Sequence, residues 1–169
     1  MTITLSPVTV DDAALVAELF ATSFVETFGH LYAPENLALF MAELTPEAFA
    51  REIGDTGFRF QLAHIGSEVA GFAKVAPPGL PVHAPAATRE LRQLYVLERF
   101  TGTGVGKALM DWVVADAKAG GARHLQLSVY IDNHRARRFY ERRGFKLIGP
   151  YTFMVGNHAD EDLIMRADL

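Results

Sequence analysis

The residues best placed to do chemistry are the glycines of Leu94-Tyr95-Val96-Leu97-Glu98-Arg99-Phe100-Thr101-Gly102-Thr103-Gly104-Val105-Gly106-Lys107-Ala108-Leu109. An apolar, strand-like run enters a glycine-rich turn, and an amphipathic helix starts straight from it. The first N–H groups of a helix have no partner inside it, so they point outward as unused donors. Such a helix start seats a phosphate or diphosphate, and the helix dipole adds to the attraction. Glycines let the anion approach the backbone where a side chain would stand in the way. The pattern predicts a phosphorylated cofactor.

Two common nucleotide motifs fail on the residues that supply their chemistry. A Walker A loop places glycine five positions before its Gly-Lys pair and Ser or Thr directly after it. Around Gly106-Lys107 those positions hold Thr101 and Ala108. The dinucleotide fingerprint needs a glycine three positions after its second one, and counting from Gly104 that position is Lys107.

A second segment narrows the choice: Leu127-Ser128-Val129-Tyr130-Ile131-Asp132-Asn133-His134-Arg135-Ala136-Arg137-Arg138-Phe139-Tyr140-Glu141-Arg142-Arg143-Gly144-Phe145. It resembles the strand-helix-strand segment of the GCN5-related N-acetyltransferase (GNAT) superfamily, Asn-x-x-Ala-x-x-Phe-Tyr-x-x-x-Gly-Phe. The glycine turn resembles the same superfamily's Gln/Arg-x-x-Gly-x-Gly/Ala loop, with Gly104 and Gly106 as the paired glycines. Thr101 stands where Gln or Arg is usual, while Arg99 gives a second, shifted match ending at Gly104. The resemblance covers at least residues 68–150. A narrower likeness, to bacterial spermine/spermidine N-acetyltransferases, lies in Phe24-Val25-Glu26-Thr27-Phe28, Ala33-Pro34-Glu35-Asn36-Leu37 and Asp162-Leu163-Ile164-Met165.

The resemblance implies an acetyl-CoA-dependent N-acetyltransferase acting on a primary amine of a small molecule, with a polyamine such as spermidine or spermine as acceptor. It implies pantetheine lying along the strand of Tyr95 and Val96. The diphosphate would meet the backbone from Thr101 through Gly102, Thr103, Gly104, Val105 and Gly106 to Lys107. Lys107 and Arg142 would add charge near the phosphates, although a solvated surface cation is the alternative for Arg142. Asn133 would bond cofactor amides, a role compatible with capping the helix that follows it.

Tyr140 takes the general-acid position, where a phenol with a reference pKa of ~10 can protonate a leaving thiolate. The alternative for Tyr140 is a core ring beside Phe139. An alkylammonium with a pKa of ~10.4 needs a proton acceptor at neutral pH. Glu90 falls at the position of the glutamate base in the superfamily's histone acetyltransferases, acting directly or through water, or else it is a plain surface carboxylate. Glu26 either orients a cationic substrate or is a solvated acid on a helix face.

The elements that must position these residues follow from pattern. Ile3–Ser6 reads as a strand. A helix with Asp11 and Asp12 in its first turn runs to Phe28, carrying Leu15, Val16, Leu19, Phe20 and Phe24 at helical spacing. Pro34-Glu35 and Pro46-Glu47 open two short helices. Residues 58–65 and 68–75 form a hairpin around Gly66-Ser67. Residues 76–88, rich in proline, form a loop that could wall the acceptor site, and 89–97 resume as a strand. A helix over 104–119 turns Val105, Ala108, Leu109, Trp112 and Val113 inward and stops at Gly120-Gly121. A strand over 125–130, a helix over 133–143 stopped by Gly144, and strands over 145–148 and 163–166 complete the chain. The expected fold is α/β (α+β), a single GNAT-like domain over 1–169, its mixed central sheet of six to seven strands flanked by helices.

Composition bounds the rest. The chain has 169 residues, half of them apolar and 21% charged, with a net charge of −4, which fits a folded soluble domain. Residues 1–57 hold nine acids and one base, whereas 58–169 hold eleven acids and fifteen bases. Such asymmetry suits a cationic substrate on one side and an anionic cofactor on the other, or only solvated helix faces. There is no cysteine, which excludes a thiol-linked acetyl-enzyme and favours direct transfer in a ternary complex. The six histidines lack metal-ligand spacing, so no metal is expected. The expected location is cytoplasmic, with no nucleic-acid or membrane partner and with homodimer formation left open. Two other functions share these motifs: a non-catalytic acyl-CoA-sensing module, and an enzyme acetylating proteins or peptides.

Overall fold

The computed structural model describes all 169 residues. The strands are β1 (Ile3–Pro7), β2 (Arg59–Ile65), β3 (Glu68–Ala76), β4 (Thr88–Val96), β5 (His124–Tyr130), β6 (Lys146–Val155) and β7 (His158–Asp168). The helices are α1 (Ala13–Phe28), α2 (Pro34–Ala42), α3 (Pro46–Ile53), α4 (Val105–Ala119) and α5 (His134–Glu141). Proline opens both α2 and α3, where its missing N–H costs nothing, and the Thr45 hydroxyl caps α3 by accepting the Ala48 N–H at 3.1 Å.

One sheet of seven strands runs in the order β1-β2-β3-β4-β5-β7-β6. Every pairing is antiparallel except β4 with β5. Helix α4 packs on one face of its N-terminal half, against β1 to β4, and α1 covers β3 and β4 from the other. Covered on both sides, β3 is an almost unbroken buried run, and Phe72, Ala73, Val75 and Ala76 are fully buried. The inward face of α4 differs from the expected one. It is Val105, Leu109, Met110, Val113 and Ala117, with Ala108 and Trp112 half-buried, because the stripe at i, i+4, i+8 turns toward β3.

The feature that makes the site is a split in the middle of the sheet. Strands β4 and β5 pair only over Thr88–Glu90 and His124–Gln126, then part. A bulge at Arg92 causes this: Lys74 pairs with Gln93 and Val75 with Leu91, leaving Arg92 as an extra residue. A bulge bends its strand and increases its twist. Beyond it, β4 keeps β3 on one side and β5 keeps β7 on the other, so two open edges face each other across a wedge. Gly71 lets β3 approach closely here, since a Cβ in its place would stand 2.5 Å from the Tyr95 carbonyl oxygen.

The last hairpin is longer than its apolar pattern suggests. Strand β6 extends to Val155 rather than Ile148, and β7 begins at His158 rather than Leu163. The added pairs, Tyr151 with Asp162 through Val155 with His158, are polar or alternating residues on an edge, where one face is wet.

Candidate active site

The glycine turn is built by its own threonines. After a single turn of 3-10 helix at Glu98–Phe100, the Thr101 N–H and hydroxyl both bond the Glu98 carbonyl, at 3.0 and 2.8 Å. The Thr103 hydroxyl bonds the Phe100 carbonyl at 2.6 Å. Gly104 is left-handed at φ 97°, a conformation that favours glycine, and it turns the chain into α4. The N–H groups of Gly102, Gly104, Val105, Gly106 and Lys107 are left with no acceptor in the chain. Four of these residues, Gly102, Gly104, Gly106 and Lys107, line the wedge, where unpartnered N–H groups can cradle an anion.

The cradle opens into a cavity of about 690 Å³ that follows the wedge through the sheet. Of the residues singled out in the sequence, Tyr95, Val96, Thr101, Gly102, Gly104, Gly106, Lys107, Asn133, Tyr140 and Arg142 line it together. Thr103 and Val105 do not: the Thr103 side chain is spent on the turn, and that of Val105 is fully buried in the core, leaving its N–H as its contribution. Asn133 caps α5 by accepting the Ala136 N–H at 3.2 Å. Lys107 pairs with Asp111 at 2.8 Å, as does Arg143, and the two cations hold the Asp111 carboxyl below the usual range.

Tyr140 lies where α5 meets the wedge, its ring edge-on to Phe139 and Phe145 at 5.4 and 5.6 Å. Its hydroxyl has no hydrogen-bond partner in the chain, and burial pushes its pKa well above that of a free phenol. It is therefore neutral, protonated and unspent. Tyr95 is raised likewise by burial, with Tyr140 and Asp162 adding to the effect.

Beyond these tyrosines the cavity is aromatic. Phe20 and Phe24 of α1 stack at 5.6 Å, and Phe24 meets Phe40 of α2 at 4.8 Å. Phe40 in turn packs edge-on against Phe153 of β6. Two carboxylates on β7, Asp160 and Asp162, reach this end and are each 6% exposed. The Tyr32 hydroxyl donates to Asp160, and His158 Nε2 lies 3.1 Å from the other Asp160 oxygen. Burial first, and the Asp160 charge second, push the Asp162 carboxyl up to about 7, against a smaller lowering by the Ser128 hydroxyl. The two cations near this end are already neutralised: Lys74 pairs with Glu52 at 2.7 Å and Arg92 with Glu90 at 2.8 Å.

Two residues singled out in the sequence stand elsewhere. Glu90 is buried beside a smaller neighbouring cavity, which shares Leu91, Arg92, Ser128 and Phe153 with the larger one. Its carboxylate accepts from the Gly79 and Leu80 N–H groups at 2.8 and 3.1 Å, from Gln126 Nε2 at 2.9 Å and from Arg92. It braces the proline-rich loop, whose Gly79 and Leu80 wall the smaller cavity and not the main one. Glu26 accepts the Glu98 N–H at 2.8 Å and so anchors the start of the glycine turn, outside the cavity lining. The site residues that sequence reasoning missed are Asp160, Asp162, Tyr32 and Arg135. The one available signal was Asp160 and Asp162 at i and i+2 of a strand, which puts both on one face.

Comparison with known proteins gives the family and the fold. The model of the Acetyltransferase (GNAT) family matches residues 16–145. An uncharacterized N-acetyltransferase of Mycobacterium tuberculosis is 33% identical over 159 residues, 94% of this chain and 98% of that one. The aminoalkylphosphonate N-acetyltransferase of Salmonella typhimurium is 30% identical over 100 residues, 59% of this chain and 64% of its own. Among solved structures, the PaiA N-acetyltransferase of Thermoplasma acidophilum in complex with coenzyme A superposes with a TM-score of 0.81 over the whole of both chains, at 22% identity.

Proposed function

Since this chain belongs to the GNAT family of acetyltransferases, we propose that it moves the acetyl group of acetyl-CoA to a primary amine of a small cationic acceptor, a polyamine of the spermidine type, by direct attack in a ternary complex. One observation carries the reading: a single aromatic cavity joins five unused main-chain donors at one end to two buried carboxylates at the other.

The residues fit the donor substrate. Five N–H groups and the helix dipole suit a diphosphate, and the open edge of β4 at Tyr95 and Val96 suits an extended amide-bearing arm. Asn133 keeps an amide N–H₂ for the same arm, and Arg142 and Arg135, with no partner in the chain, supply charge at the phosphate end. Bound acetyl-CoA brings an activated thioester carbonyl and a thiolate leaving group. Tyr140 holds its proton on Oη for the departing sulfur. The packed rings of Phe20, Phe24 and Phe40 exclude water from the amine path and offer aromatic faces to a cation. Glu90 and Glu26 serve as braces in this reading, because their carboxylates are already held by backbone donors.

An acceptor with an anionic tail, of the aminoalkylphosphonate kind, finds no free cation at the carboxylate end, as Lys74 and Arg92 are both paired. Thiol release from acetyl-CoA, followed with spermidine, spermine, an aminoalkylphosphonate, amino acids and short peptides, tests the choice. Spermidine or spermine is expected to exceed the anionic acceptors in kcat/KM by at least about tenfold. Faster turnover of the phosphonate or of a peptide N-terminus would sink the polyamine assignment.

A further inference from the structure

We infer that Asp162 is the proton acceptor for the attacking amine, a catalytic role that rests on the acetyltransferase reading above. Three carboxylates are buried in or beside the cavity, and two of them are spoken for. Glu90 holds four donors, and Asp160 holds Tyr32 and His158. Asp162 is held by no such partner, and the nearby Ser128 hydroxyl only slightly offsets the rise of its carboxyl. A carboxylate can accept about four hydrogen bonds, so most of its capacity is free and faces the cavity.

The surroundings suit a base. In register, Asp162 stands between Tyr130 of β5 and Tyr151 of β6. Its charge is felt by Tyr95 of β4, by Tyr32 after α1 and by Tyr130. From its own strand come Asp160 and His158. No unpaired cation faces it: His158 lies against Asp160, and Lys74 on β3 is bound to Glu52. A carboxyl raised to about 7 is a stronger base than an ordinary one near ~4, and so a closer match to an ammonium at ~10.4. It is ionised above that pH and protonated below it.

The step balances. An N–H bond of the ammonium breaks and its proton passes to Asp162 Oδ. The freed lone pair forms the N–C bond to the acetyl carbonyl as the C–S bond breaks. The electron pair of that bond leaves with sulfur, which takes the Tyr140 proton. The nitrogen's second proton then replaces the one Tyr140 gave, and Asp162 releases its own to solvent.

The test is the pH dependence of kcat/KM with spermidine over about pH 5.5–9.5, beside calorimetry of CoA binding. Wild type is expected to rise through an apparent pKa near 7, apart from the acceptor's own limb near ~10. Asp162→Asn should lose the limb near 7 and about 100-fold in kcat, with CoA affinity within about twofold. Asp162→Glu should restore part of the rate together with a titrating limb. Asp160→Asn should move the limb to lower pH, because the neighbouring charge that raises the Asp162 carboxyl is gone. A limb near 7 that survives in Asp162→Asn, or a change confined to KM, overturns the assignment alone. Wild type that acetylates no amine overturns the acetyltransferase reading and the assignment with it.

Discussion

Replacing Tyr140 by Phe is expected to lower kcat by about 100- to 1,000-fold while leaving CoA affinity within about twofold. The ring contacts with Phe139 and Phe145 persist, and the deleted hydroxyl bonds nothing in the chain, so no buried partner is orphaned. Folding and the glycine turn, which Tyr140 does not bond, should be indifferent to the change. The departing thiolate, by contrast, loses an uncharged donor whose proton is held in place by burial rather than by a partner. Steady-state kinetics beside calorimetry separate the two effects. Equal losses in CoA affinity and kcat would mean that Tyr140 packs against the cofactor without delivering a proton.

Gly106→Asp is expected to weaken CoA binding by about 100-fold with little loss of thermal stability. A side chain fits here, because a Cβ at Gly106 meets nothing closer than Val96 Cγ2 at 4.0 Å and the backbone is not left-handed. A carboxylate in the first turn of α4 even complements the helix dipole. It also sits among the five free N–H groups, where it repels a diphosphate. One unit of like charge at ~5 Å with an effective dielectric of ~20 costs about 3 kcal/mol. Calorimetry and a melting curve check the pair of effects. Unchanged CoA affinity in a folded variant would place the anion elsewhere.

What could be read from the sequence was local. The alternating glycines 102, 104 and 106, set between an apolar run and an amphipathic one, mark a strand-to-helix turn, and Gly144 ends α5 at φ 87° as a stop residue should. Such signals depend on neighbours in the chain. Glu90 depends on Gly79, Leu80 and Gln126, residues 10 to 36 positions away, and no spacing rule shows that they close over its carboxylate. Asp162 likewise owes its raised carboxyl to a burial built from β5, β6 and the Tyr32 turn. The wedge itself hangs on one extra residue, Arg92, whose bulge appears only once β3 and β4 are in register. The long last hairpin stayed hidden because Gly149 and Pro150 interrupt it and its outer strand alternates weakly.

Calorimetry on the folded wild-type protein, titrating coenzyme A and then pantetheine, which lacks the diphosphate and the phosphorylated adenosine beyond it, puts the donor cluster between Val96 and Ala108 to the most direct test. Coenzyme A should bind with a Kd on the order of 1–100 μM and pantetheine at least about 100-fold more weakly, the difference expected for a few charge-assisted hydrogen bonds. Equal affinities for the two, or none for coenzyme A, would contradict the assignment of those main-chain donors to the diphosphate.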